Sequence, residues 1–186
     1  GARTVSHLRF GKNPIKAPYL VGTANFVACH QFPFLEKVEM LKELKEGGIF
    51  LLNSPFEKDE VWEKLPGHVQ KTLIDKKLRF YVIDATTVAR DNGMGTRINT
   101  IMQTCFFALA DVLPRAEAIE QIKHAIEKTY TKKGKAVVEK NFEAVDATLA
   151  NLYEVQIPVN ATSTSAMLAV VGADAPDFVK DVTAMM

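Results

Sequence analysis

The sequence predicts an α/β fold: a three-layer α/β/α arrangement with a mainly parallel sheet and a helical C-terminal half. Three observations carry that expectation. Short apolar runs alternate with longer amphipathic stretches through the first half, and from about residue 97 onward the pattern becomes wholly helical. At 186 residues the chain is also long enough for one domain with a real core, since about 100–200 residues is the usual domain size.

Taken in order, "TVSHLRF" (4–10) is a weak strand candidate with period-two alternation. The runs "ANFVACH" (24–30), "GIFLL" (48–52) and "LRFYVID" (78–84) read as buried strands. Between the first two of these, "FLEKVEMLKELKEGG" places Leu35, Val38, Leu41 and Leu44 at three-residue steps, which predicts a helix ending at Gly47–Gly48. After "GIFLL", Ser54, Pro55 and Glu57 stand in capping-box order with proline in the first turn, so a second helix is expected to start there. Strand-helix-strand units of this length need right-handed crossovers, and these give a parallel sheet with helices on both faces. Helices are then predicted over 97–112, over 115–131 after Pro114, and over 136–153. "IPVNATSTSA" reads as a polar linker, and "APDFVKDVTAMM" as a short helix with an apolar Met185–Met186 ending. The expected division is a domain over 1–158 and, over 159–186, a linker that begins a connection to a further domain.

Composition removes several functions. Lys and Arg total 23 against 22 Asp and Glu, so nothing in the charge invites nucleic acid or an anionic membrane. The two cysteines, Cys29 and Cys105, have apolar neighbours and no CxxC spacing, which fits buried reduced thiols in a reducing, cytoplasmic compartment. An iron–sulfur cluster needs about four cysteine ligands and is therefore excluded within this chain. No apolar run reaches the roughly 18 residues of a membrane span, and "GARTVSHLRF" lacks a signal-peptide core. The sequon at Asn160 reads as a chance match.

In an open parallel sheet, ligands bind beyond the carboxyl ends of the strands. Those ends carry His30 with Gln31, Asn53 with Ser54, and Asp84 with Thr86 and Thr87. Each has a plainer reading: Asn53, Ser54 and Asp84 as helix caps, His30 as a hydrogen-bonded structural histidine. A different kind of candidate is "GMGTRINTIMQTCFF" (93–107). Gly93 and Gly95 permit positive φ and close backbone approach, and Arg97, Asn99, Thr100 and Gln103 would surround the first turn of a helix whose amides lack intrahelical partners. Such a place suits an anionic or amide-rich ligand. It is neither a dinucleotide fingerprint, since Ile98 stands where GxGxxG needs glycine, nor a Walker loop, since no GK[ST] comes after it. A glycine turn before an ordinary amphipathic helix remains the alternative.

The runs "TVSHLRFG", "ANFVACHQF.FLE", "FLLNSP...DEVW..LP", "YVIDA..VAR..GMG.RINTIMQTCFFA" and "VLPR.EAI..IK.AI.KTY.KKG..VV..NF.AVD" resemble the gamma-type domain, or domain III, of pyruvate:ferredoxin (flavodoxin) oxidoreductases. The resemblance runs from about residue 4 to about 158. It implies part of an enzyme, a homodimer, that uses thiamine diphosphate, Mg2+ and [4Fe–4S] clusters to convert pyruvate and coenzyme A to acetyl-CoA and carbon dioxide. Electrons would pass to ferredoxin or flavodoxin. The thiamine and cluster sites are expected in the remaining domains, because this chain has no GDG…N pattern and no cysteine ligand set. The family would also place a strand and a glycine-rich turn before "TVSHLRFG", so the resemblance implies a fragment that is inactive alone and exposes an apolar edge.

On the same resemblance, Gly93, Gly95, Arg97, Asn99, Thr100 and Gln103 are candidates to contact coenzyme A or the neighbouring cofactor domain, with Arg97 offering a charge-assisted fork to a phosphate. Asn53, Ser54 and His30 would complete the rim. None is expected to act as a nucleophile or proton shuttle. A second expectation is a scaffold subunit without a small-molecule site, whose lysine-rich "KHAIEKTYTKKGKAVVEK", including Lys132, Lys133 and Lys135, would dock an acidic electron carrier, with a solvated helix pair as the plainer reading of those lysines.

Overall fold

Alternation along the central strands decides the architecture. In β2 (Leu44–Asn53), Phe50 and Leu52 enter one apolar cluster and Leu51 enters another; in β3 (Arg79–Ile83), Phe80 and Val82 part from Tyr81 and Ile83 in the same way. A sheet that is apolar on both faces has to be covered on both.

The computed structural model describes residues 4–11, 13–16, 19–167, 171–172 and 174–182. Its sheet has four strands in the order β1 (Ala24–Cys29), β2, β3 and β4 (Tyr153–Val155). The first three are parallel and β4 runs antiparallel to β3. On one face lie α1 (Val61–Lys64) and α2 (Gly67–Asp75), which bury Val61, Trp62, Val69 and Leu73 beneath the stacked rings of Phe50 and Phe80. On the other lie α3 (Ala85–Asp91), α4 (Asn99–Leu109) and, after α5 (Arg115–Tyr130), α6 (Lys135–Ala150), through Val88, Ile101, Met102, Cys105 and Ala144. Helix α5 makes its own small core with α6 through Ile122, Ile126 and Val145. This is the three-layer α/β/α arrangement with a mainly parallel sheet and a helical C-terminal half.

Several elements differ from the sequence expectation. The helix predicted after Phe34 does not form: a 3-10 turn at Phe32–Glu36 gives way to single tight turns, with Lys42 N–H donating to Glu39 O at 3.1 Å and Leu44 N–H to Leu41 O at 3.2 Å. A strict three-residue apolar step is the period of such turns, whereas an α-helix mixes steps of three and four. The Lys76 ammonium holds the segment by donating to the carbonyls of Leu41, Lys42 and Leu44 at 3.0, 2.7 and 2.8 Å. Gly47, at φ 69°, is then no helix terminator. It sits in a bulge, because Leu44 pairs with Ala24 while Ile49 pairs with Phe26.

The capping box is not used either. Ser54 lies one residue past β2 and is tied to the end of β3, its N–H donating to Ile83 O at 2.9 Å, while its buried hydroxyl accepts from Phe56 N–H at 3.0 Å and donates to Phe56 O at 3.1 Å. That is a serine turn, and helix α1 starts only at Val61. The last predicted helix ends at Ala150, and Tyr153–Val155 pair as β4 instead. No strand is assigned to residues 4–10; Val5, Leu8 and Phe10 are exposed, although the Phe10 ring lies 5.4 Å from that of Phe106. In the tail, α7 spans Asp177–Asp181, and the Met185–Met186 ending lies outside the described residues. Among the described residues no helix is long and apolar enough to cross a membrane.

Candidate functional site

The strand register brings the carboxyl ends level, with Cys29 opposite Leu52 and Asn53 opposite Ile83. Beyond them lies an open cleft of about 350 Å³, lined by His30, Gln31, Phe32, Asn53, Asp84, Thr86 and Thr87 among others. Asn53 ties its floor together. Its Nδ2 donates to His30 O at 3.1 Å and its Oδ1 accepts from Ala85 N–H at 2.9 Å, so one amide joins the ends of three strands. Asp84 caps α3, its carboxylate accepting from Thr87 N–H at 2.9 Å. Partial burial of the His30 ring lowers its pKa from the ordinary value, although the residue as a whole stays exposed. The imidazole is therefore neutral near pH 7.

Neither thiol is set up for chemistry. Burial pushes Cys29 up to about 11, offset only in part by a backbone hydrogen bond of Gln31, and pushes Cys105 up to about 12; the Cys29 thiol itself donates to Gln31 O at 3.1 Å. Among the described residues no group of three or more His, Cys, Asp or Glu could hold a metal ion. The described residues thus offer no cluster of carboxylates for the magnesium of thiamine diphosphate, and two buried cysteines are too few for an iron–sulfur cluster.

The glycine turn is built separately. Gly93 and Gly95 take φ of 68° and 63°, the left-handed region that glycine enters without a Cβ penalty. Met94 between them is buried and its N–H donates to Ala89 O at 2.8 Å, which anchors the turn to α3. A Cβ on Gly95 would meet nothing within 4 Å, while one on Gly93 would stand 3.3 Å from the Lys140 ammonium. Arg97 is exposed, and its Nε donates to Met94 O at 3.2 Å. Helix α4 then begins without a side-chain cap, and Asn99 and Gln103 are exposed one turn apart. Thr100 is half-buried, its carbonyl accepting from the Thr104 hydroxyl at 2.8 Å.

The residues predicted as one rim thus fall into two groups. His30 and Asn53 line the strand-end cleft with Asp84, Thr86 and Thr87, and Ser54 is buried with its hydroxyl spent on the turn. The cleft lining includes none of Gly93, Gly95, Arg97, Asn99, Thr100 and Gln103. Sequence reasoning missed Lys140, which α6 brings to the turn; a lone lysine in an amphipathic helix carries no signal of that neighbour. Arg97 and Lys140 are cations, and with the uncapped start of α4 they are the groups at this turn that could meet an anion.

A family model described as pyruvate ferredoxin/flavodoxin oxidoreductase matches residues 1–151. The chain is 57% identical over its whole length to a pyruvate-flavodoxin oxidoreductase of Rhodospirillum rubrum, of which it covers 16%. It is 48% identical, over 100% of the chain and 16% of the relative, to a probable pyruvate-flavodoxin oxidoreductase of Escherichia coli. A pyruvate:ferredoxin oxidoreductase of Moorella thermoacetica is 43% identical over 98% of the chain and 16% of the relative. The chain spans about a sixth of the length of these relatives. Among solved structures, pyruvate oxidoreductase subunit PORC of Thermotoga maritima shares the fold at a TM-score of 0.56 and 20% identity, over 73% of this chain and 67% of that one. On this match the chain belongs to the pyruvate ferredoxin/flavodoxin oxidoreductase family.

Proposed function

We propose that the chain works as the gamma-type domain of a cytoplasmic pyruvate:ferredoxin (flavodoxin) oxidoreductase, and that its glycine turn holds a phosphate of coenzyme A. The whole enzyme would convert pyruvate and coenzyme A to acetyl-CoA and carbon dioxide and pass electrons to ferredoxin or flavodoxin. The observation that supports the reading is the 57% identity, over the whole of this chain and 16% of the relative, with a protein named pyruvate-flavodoxin oxidoreductase. Carbon–carbon cleavage and electron transfer would be supplied by thiamine and iron–sulfur groups held in the remaining domains. This chain's part is binding and orientation. Arg97 and Lys140 offer cations and the first turn of α4 offers amides, while Asn99 and Gln103 present a second set of donors and acceptors on one helix face.

Replacing Arg97 with alanine in the complete enzyme is expected to raise the KM for coenzyme A about tenfold to a hundredfold, the range for losing a charged hydrogen bond, and to spare decarboxylation of pyruvate. Equal loss of both activities would instead favour a packing role. A scaffold without a small-molecule site is the second reading, favoured by the exposed apolar side chains of Val5, Leu8, Ile15, Tyr19 and Leu20 and by the internal use of Asn53 and Ser54. On that reading, salt-dependent binding of ferredoxin should disappear when Lys132, Lys133 and Lys135 are neutralised, and coenzyme A affinity should ignore Arg97.

A further inference from the structure

The stretch "ATSTS" (161–165) has the composition of a flexible tether, yet it lies clamped against α1 and α2. Gln70 on α2 is 0% exposed, and an amide in that position needs partners because burying it unpaired is costly. Its Oε1 accepts from the N–H groups of Thr162 and Ser163, both at 2.8 Å. Its Nε2 donates to Trp62 O at 2.7 Å and, more weakly, to Thr162 Oγ1 at 3.4 Å. All four positions of the amide are thereby used, and three of them face the strap. Thr162 Oγ1 in turn donates to Glu63 Oε2 at 2.9 Å.

A second contact is independent of the first. Gly67, at the start of α2, donates its N–H to Ser165 O at 2.9 Å, and a Cβ there would stand 2.5 Å from Ser163 O. That glycine is a matter of space and not of backbone conformation: the strap passes where any side chain would sit. The strap lies beyond residues 1–151, which the family model matches.

We propose that residues 161–165 are an integral strap of this domain, latched by Gln70 and seated over Gly67, so that the domain extends past residue 158 and the chain beyond Ser165 leaves from a fixed point at the start of α2. The strap acts as a stiff root for that later segment. Gln70 is a positioning residue in this role, since its amide bonds the strap on one side and the Trp62 carbonyl of α1 on the other.

Hydrogen exchange on the full-length protein tests this. The amides of Thr162 and Ser163 should be protected in the wild type, and a Gln70→Leu variant should exchange them roughly tenfold to a hundredfold faster, the effect of losing about two hydrogen bonds. A core peptide over 48–52 serves as the control for folding. Gly67→Ala, which leaves Gln70 in place and acts on the strap by steric contact alone, should give the same loss with the core unchanged. Wild-type amides at 162 and 163 that exchange as fast as those of an unstructured peptide would overturn the proposal, as would unchanged protection in a folded Gly67→Ala variant.

Discussion

At the scale of single residues, burial decides which polar groups are free to act. Cys29 and Cys105 sit in apolar surroundings that push their thiols up to about 11 and about 12, so almost no thiolate exists near neutral pH. Both should resist iodoacetamide at about pH 8 in the native protein and react fully in denaturant; native labelling would contradict the burial. For His30, burial lowers the folded-state pKa below that of the unfolded chain. The unfolded state therefore takes up its proton first as pH falls through about 6.5, and folding stability from this group is complete above that pH and declines below it. The urea midpoint should fall between about pH 7.5 and pH 5.5, and His30→Gln should reduce that fall. Some features at this scale are legible in the sequence: the glycines at 93 and 95 permit positive φ, and both adopt it. Lys77 and Asp111 also adopt positive φ, at 48° and 50°, but neither residue type announces it.

At the scale of elements, strands are easier to read than the segments joining them. A run such as "GIFLL" is apolar on both faces wherever it lies, whereas a turn depends on partners distant in sequence. Lys76 holds the carbonyls of Leu41, Lys42 and Leu44. Without that ammonium in view, the leucine spacing reads as a helix. Similarly, Ser54 has the residue order of a cap, but the bond from its own N–H to Ile83 O ties it to the end of β3. Asn53 illustrates the consequence for function. Its amide spans from His30 O to Ala85 N–H, so Asn53→Ala should cost about 1–3 kcal/mol of stability in denaturant unfolding through the unpaired partners it leaves. A variant of unchanged stability with a raised KM for coenzyme A would return Asn53 to the ligand.

At the scale of the whole molecule, the layers come from the two-faced alternation of β2 and β3, and the α/β/α arrangement is legible in the sequence for that reason. The site is legible only in part. Sequence order places the glycine turn and the strand ends as one rim; the strand-end cleft is lined by His30 and Asn53 and not by the turn, beside which α6 puts Lys140. Calorimetric titration of the complete enzyme with coenzyme A, with dephospho-coenzyme A and Arg97→Ala as comparisons, tests the central claim most directly. A phosphate held at the turn predicts binding that weakens about tenfold to a hundredfold in the Arg97→Ala variant and weakens with dephospho-coenzyme A as well. Equal affinity in all three titrations would contradict it and leave the turn as a contact between domains.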